Sequence, residues 1–349
     1  MEILNANQGG DAASAADAGR HLVDSQGADC LTGPWTSEGV AQVAQDVAIP
    51  SEVLQISPVA TGHDVADLKD HDLVDSTALP TSTEGQAIAD AIEQSLGDID
   101  GSTVNVGVNP DSGAEDVAGD FVKAWQEADG TARGPTVLPS PVSGTGIAEI
   151  TNDNPDAVLL IDNSAGFAKL APVLIGLPGW STATAWGNDQ LVSPGLPKDA
   201  GTRNIEGLRA LAPGMPQGAE PTSAFVSALE SALPKGVQPA PYAAQEFDAT
   251  ILCYLAAVAA GSTEGQQMAD ELIDITAPGG TEFTWQQLPE AIKALEDGED
   301  IDYTGASGPI DMDVHGDPTA GVFDVYRYSG GKLVLDGEIS VEKANPATP

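Results

Sequence analysis

Positive charge is scarce in this chain: its 349 residues carry 13 Lys and Arg against 53 Asp and Glu, a formal net charge of −40 at pH 7. A field of that sign repels phosphate backbones and anionic lipid, which disfavours nucleic acid as a partner and a basic membrane-surface role. Aromatic residues amount to 5%, too few to build a stacking platform for bases. Histidine is limited to His21, His63, His71 and His315, and no Gly-x-Ser-x-Gly elbow is present. A hydrolase or amidase needs an activated nucleophile beside a base, and the sequence supplies neither in a recognisable pattern.

The only two cysteines are Cys30 and Cys253. That is neither a disulfide framework nor a zinc spacing. Both lie among apolar neighbours, so the expectation is two small buried hydrophobes. No run approaches the roughly 18 apolar residues that a membrane span needs. Met1–Asn5 has no basic n-region and no apolar h-region, so either the chain is cytoplasmic or its export signal lies outside it.

What is present points to a globular α/β protein. Hydrophobic residues make up 41% and charged residues 19%, and the length suits two domains. Surface acidity keeps a protein soluble while straining its compact state, which fits a salty or extracellular setting. Apolar runs alternate with amphipathic stretches. Strands are expected at Gly27–Leu31, Val53–Ile56, Thr103–Val108 and Ala157–Ile161. Helices are expected at Ala12–Leu22, Glu38–Val47, Thr83–Leu96, Ala114–Ala128, Phe167–Leu174, Ser223–Leu233, Gln245–Ala260 and Leu288–Glu296. Thr83 and Gln86 have the spacing of a capping box. The tail reads as a hairpin turning at Ser329-Gly330-Gly331. This order predicts parallel sheets with helices on both faces, and ligands in such sheets bind beyond the carboxyl ends of the strands.

The chemistry-bearing residues in those loops are mostly small. His63-Asp64 and His71-Asp72, with Asp67 and Asp70, read as a solvated acidic face rather than a metal site. Asp311-x-Asp313-x-His315-Gly316 begins like a calcium loop, but Val322 stands where the bidentate Glu belongs, so a turn is expected. Gly144-Thr145-Gly146 lacks the third glycine of a phosphate loop. No metal or cofactor is expected. Thr36 and Ser37 follow Gly33-Pro34, and Thr61 closes Ser57-Pro58-Val59-Ala60-Thr61. Hydroxyls and free N–H groups at helix starts suit a carboxylate, although such residues commonly serve only as caps. Asp162 or Asp189 could face an ammonium.

Several stretches, in this order and spacing, resemble the extracytoplasmic substrate-binding proteins of branched-chain amino-acid ABC transporters, the Leu/Ile/Val-binding family with the type I periplasmic-binding fold. They are Gly10–Leu22, Gly27–Pro34, Ile56–Thr61, Tyr242–Ala249, and Gly308-Pro309-Ile310 with Gly316–Gly321. The resemblance implies two Rossmann-like lobes of parallel sheets joined by three crossovers: 1–78 plus 208–308 as lobe I, and 79–207 plus 309–349 as lobe II. It implies a monomeric solute receptor, not an enzyme, that closes on an amino acid or related small polar solute in the interlobe cleft and delivers it to an ABC permease. A sensing module of the same fold, coupled to a signalling receptor, is the alternative. By the same resemblance Ser37, the backbone around Val59, and Thr61 would hold an α-carboxylate, with Thr36 beside them. Asp189 would face the α-ammonium. Ser112 stands in a turn where the family usually carries Tyr, and Asp162 lies in another pocket-facing loop. An extracytoplasmic location, periplasmic or cell-surface and free or lipid-anchored, follows from the resemblance, with the signal peptide absent from this chain. Members of the family begin one βα unit earlier. Met1–Asn5 is therefore expected as the second strand with an open apolar edge, and a precursor with roughly 40 further N-terminal residues is expected.

Overall fold

A computed structural model describes the chain apart from residues 60–61, 63–64, 66–67, 98, 140–146, 236, 238–240 and 343–349. Its principal helices are α1 (Ala12–Arg20), α2 (Ser37–Val43), α3 (Thr81–Leu96), α4 (Glu115–Glu127), α5 (Ser164–Leu174), α6 (Ala243–Ala260), α7 (Gly265–Leu272) and α8 (Leu288–Glu296). The strands are β1 (Cys30–Thr32), β2 (Leu54–Ser57), β3 (Val74–Ser76), β4 (Thr103–Val108), β5 (Thr131–Val137), β6 (Ala157–Ile161), β7 (Ala185–Gly187), β8 (Arg209–Pro213), β9 (Thr281–Thr284), β10 (Ile301–Thr304), β11 (Ala320–Ser329) and β12 (Lys332–Glu342). They form two units, one of Met1–Pro80 with Met215–Gly321, the other of Thr81–Gly214 with Val322–Val341.

In the first unit β1, β2 and β3 lie parallel in that order. All four residues of β2 are buried, as expected of a parallel strand covered on both faces. Leu31 packs with Ala15, Val43 and Val47 from the α1–α2 side. Leu54 and Ile56 pack with Leu252, Leu255, Met268 and Tyr303, under α6, α7 and β10. Side chains alternate along a strand, so Cys30 and Thr32 point opposite to Leu31, toward α6. There Thr32 donates its hydroxyl to Glu246 Oε1 at 2.7 Å, and Cys30 is disulfide-bonded to Cys253.

That bond corrects the expectation of two inert buried thiols. The partners are 223 residues apart, so no local spacing announces them. The geometric signal is joint: Cys30 and Thr32 share a strand face, while Glu246 and Cys253, seven residues apart, share a helix face.

α6 also amends the reading of apolar runs, because its 18 residues are long and apolar enough to cross a membrane. It is nevertheless a core helix here, carrying the fully buried Asp248. That carboxylate accepts the Ala306 and Ser307 N–H groups, both at 2.8 Å, the Ser307 hydroxyl at 2.6 Å and the Tyr303 hydroxyl at 3.1 Å. Gly305 lies against it, where an added Cβ would come within 2.4 Å of Asp248 Oδ2. Desolvation raises the Asp248 pKa to about 6 despite these donors.

The second unit is built on a seven-stranded sheet in the order β12-β11-β8-β7-β6-β4-β5. β4 to β8 run parallel, and β11 joins β8 antiparallel. β6 is buried at every position. Val158 and Leu160 enter a core with Phe167, Leu170 and Leu174 of α5, and alternation sends Leu159 and Ile161 to the other face. α3 and α4 pack against each other.

Most expected elements are present with ends shifted by a few residues. Three differ. Met1–Gln8 forms no strand. Thr83 sits inside α3, which begins at Thr81, so Thr83 does not start a capping box; Gln86 instead donates to Asp90 Oδ1 at 2.7 Å. The short β3 and β7, and the exposed edge strand β5, carry too little periodicity to be read from sequence. Asp313 does make the expected turn, with its Oδ1 accepting the His315 and Asp317 N–H groups.

Candidate functional site

The loops that follow β4, β6 and β7 at their carboxyl ends are hydrogen-bonded into one array. Asn109, just after β4, uses both ends of its amide. Its Oδ1 accepts the Asp111 N–H at 3.0 Å, and its Nδ2 donates to Asp162 Oδ1 at 2.6 Å. Asp162, just after β6, donates its N–H to Asn188 Oδ1 at 3.1 Å. Asn188, just after β7 and 0% exposed, donates to Asp189 Oδ1 at 3.3 Å. The Asp189 N–H in turn donates to Glu84 Oε1 of α3 at 2.8 Å.

Further bonds brace these loops. Asn163 caps α5 by accepting the Gly166 N–H and donates to the Asp111 carbonyl. Gln190 donates to the Ser112 carbonyl, and Ser164 donates to the Gln190 carbonyl. The Tyr328 hydroxyl of β11 donates to the Leu191 carbonyl and accepts the Ser193 N–H, fixing the far end of the β7 loop.

The electrostatics are those of buried acids. Asp162 and Glu84 are each 2% exposed. Burial pushes the Asp162 carboxyl up to about 6, against the opposing pull of the Asn109 amide and the Asn163 N–H. Glu84 lies well above the usual carboxylate range, first because of burial and then because of the nearby Asp189 charge. A pocket of about 460 Å³ opens beside Asp162, lined by the polar Asn109 and Asn163 and by the apolar Leu138 and Leu170. That volume falls among small-molecule sites.

The structure places the expected residues unevenly. Asp162, Asp189 and Ser112 belong to this one array. Ser112 is half-buried, with its Oγ accepting the Ala114 N–H. In the first unit Thr36 caps α2 by accepting the Gly39 N–H at 3.2 Å, and Ser37 is the first residue of that helix. The Val59 N–H donates to Ser57 Oγ at 3.3 Å, a bond that occupies the donor expected for a carboxylate. Thr61 lies outside the described residues, as do His63, Asp64, Asp67 and the stretch Gly144–Gly146. Among the described residues no three His, Cys, Asp or Glu side chains could hold a metal ion.

Sequence reasoning missed Asn109, Asn188 and Glu84. The asparagines each follow a buried strand directly, the position from which an amide can bridge two loops. Glu84 reads as an ordinary first-turn helical acid and gives no signal.

Solved structures with similar folds include a leucine-binding protein from Thermotoga maritima, with TM-score 0.73, 19% identity, and coverage of 94% of this chain and 85% of that one. A branched-chain amino acid transporter substrate-binding protein from Streptococcus pneumoniae, in complex with isoleucine, gives TM-score 0.72, 16% identity and coverage of 98% and 87%. An ABC transporter solute-binding protein from R. palustris, in complex with benzoate, gives TM-score 0.66, 18% identity and coverage of 96% and 84%. At such identities the likeness is one of fold, the type I periplasmic-binding fold. No curated protein sequence matches the chain. The profile of the periplasmic binding protein family matches residues 1–323, and with it the alternating strands and helices, the two units and the braced carboxyl-end loops find one account: the chain belongs to the periplasmic binding protein family.

Proposed function

We infer that this chain is the solute receptor of an ABC importer, a binding protein rather than an enzyme, and that its ligand is an amino acid or a related small polar solute. The observation that carries this reading is the array joining Asn109, Asp162, Asn188 and Asp189, which holds two carboxylates at adjacent strand ends with Glu84 buried behind them. Such bracing preorganises polar groups, so binding loses little entropy in ordering them. Asp189 is assigned to the ligand's α-ammonium. Ser37, with Thr36 beside it, and the backbone around Val59 are assigned to the carboxylate, for which the Val59 N–H would exchange its 3.3 Å bond to Ser57 Oγ, with Thr61 as a further donor. The structural neighbours are described as binding leucine, isoleucine and benzoate, solutes of the same size class.

The Cys30–Cys253 disulfide supports an extracytoplasmic setting independently of the family, because structural disulfides persist in oxidising compartments. An ABC permease is the partner this reading requires.

A thermal-shift screen over amino acids, amides and small carboxylates tests it. A solute at about 100 times its Kd adds about 2.7 kcal/mol of stability. Asp189→Asn is then expected to weaken an amino-acid ligand by about 2–5 kcal/mol, because an ammonium loses its countercharge. A chain that no solute of these classes stabilises would not be a receptor for them.

A further inference from the structure

The pocket beside Asp162 is more specific than a generic amino-acid site. Its lining includes the Asp162 carboxyl, which is 2% exposed, with Oδ1 already taken by the Asn109 amide at 2.6 Å. The group is packed onto the first turn of α5, where Gly166 leaves room for it; a Cβ there would lie 2.2 Å from Asp162 Oδ1. Among the described residues Asp162 forms no ion pair. The surface acidity of this chain is general, but a buried carboxylate lining a pocket is not, because desolvation penalises it unless a positive or donor-rich group compensates. Burial does raise the Asp162 pKa to about 6, the mark of a charge that is not fully compensated.

The rest of the lining limits what compensates it. Leu138, Pro139 and Leu170 add apolar side chains to the lining, suited to a hydrocarbon stem. Among the described residues Lys169 is the one cation lining the pocket; it is exposed, and the exposed Asp111 opposes its effect on Asp162. Asp189 sits in the neighbouring loop and is already assigned to an α-ammonium, so Asp162 is available for a second positive group.

We propose that the solute is a base: a primary ammonium or guanidinium on an aliphatic stem, its charged end seated against Asp162 and its stem against Leu138, Pro139 and Leu170. The proposal rests on the receptor reading above and adds the ligand class to it. Basic amino acids and diamines share this chemistry and differ in the α-carboxylate.

Calorimetric titration of the full chain with lysine, arginine, 1,4-diaminobutane, leucine and benzoate tests it. Lysine or arginine is expected to bind about tenfold or more tightly than leucine, the effect of one added buried charge pair. If 1,4-diaminobutane matches lysine, the solute is a diamine; if it binds weakly, the α-carboxylate is read as well. Asp162→Asn should abolish the preference for lysine over leucine. Pro139→Lys, which places a resident ammonium on the pocket wall, should weaken lysine selectively even if the Asp162 variant fails to fold. Leucine or benzoate binding more tightly than every base overturns the proposal and leaves the receptor reading standing. Binding of none of the five overturns both.

Discussion

Cys30 of β1 and Cys253 of α6 are joined by a disulfide across 223 residues of chain, and two residues further along β1 Thr32 is hydrogen-bonded to Glu246, two turns earlier on α6. The helix is thus fastened at two points to a strand at the edge of a three-stranded sheet. A cross-link over so long a loop restricts the unfolded chain strongly. Replacing both cysteines by alanine is expected to lower stability by about 2–5 kcal/mol. Urea unfolding of the variant, and of the parent with reductant, checks this. Coincident unfolding midpoints for all three samples would show that the bond does not stabilise the fold.

Mild acid is expected to stabilise the protein. Asp248 and Asp162 are both raised to about 6 in the folded chain, from an ordinary 3.8, chiefly by burial, and burial also raises Glu84 and Asp75 well above the ordinary carboxylate range. A raised carboxyl binds its proton more tightly when folded. As pH falls through the folded value toward the unfolded one, the folded state takes up protons first and gains stability. For the fully buried Asp248 the interval is worth about 3 kcal/mol. Asp336 acts oppositely, held below its ordinary range by Arg327 and Arg209, but its contribution is lost only as pH falls below about 4. Thermal unfolding should therefore be higher near about pH 5 than near about pH 7.5, with a smaller difference in Asp248→Asn. A midpoint that falls steadily from neutral to mild acid would contradict this.

The strands with continuous apolar runs were legible in sequence. Thr103–Val108 and Ala157–Ile161 are found at their expected limits, because a buried parallel strand needs only a short apolar stretch between turns. β7, Ala185-Trp186-Gly187, was not legible: three residues carry no period, and its identity comes from pairing with β6 and β8. At the site, Asp162 and Asp189 could be named because acids at strand ends are visible in one dimension. Their bracing could not be. Asn109 and Asp162 are 53 residues apart, Glu84 and Asp189 are 105 apart, and only the sheet order makes them neighbours. The disulfide escaped for the same reason.

Salt is expected to stabilise the chain as well. With a formal charge of −40 most surface groups repel one another, and ions screen that repulsion beyond about 10 Å at 0.1 M. Surface ion pairs lost to screening weigh little against this, since exposed pairs such as Lys293–Asp297 and Arg133–Asp153 contribute little in water. The unfolding midpoint should rise as NaCl goes from about 0.05 to about 1 M. A flat or falling midpoint would mean that the acidic surface is not strained.

Glu84 is expected to act on ligand binding through Asp189 rather than by touching the ligand. Its carboxyl is 2% exposed and its Oε1 receives the Asp189 N–H at 2.8 Å, which orients the loop after β7. Burial, then the nearby Asp189 charge, raises the Glu84 pKa well above the ordinary carboxylate value. Glu84→Gln preserves that oxygen and should bind solute as the parent does. Glu84→Ala removes the acceptor from a half-buried N–H, which costs about 1–3 kcal/mol and lets the Asp189 backbone turn. Affinity for an ammonium-bearing solute should drop about tenfold in that variant. The decisive comparison is made in an Asp189→Asn background. If Glu84 serves only to aim Asp189, adding Glu84→Ala there should cost little more, a non-additivity that a double-mutant cycle reads directly. Full additivity of the two losses would mean that Glu84 contributes on its own account.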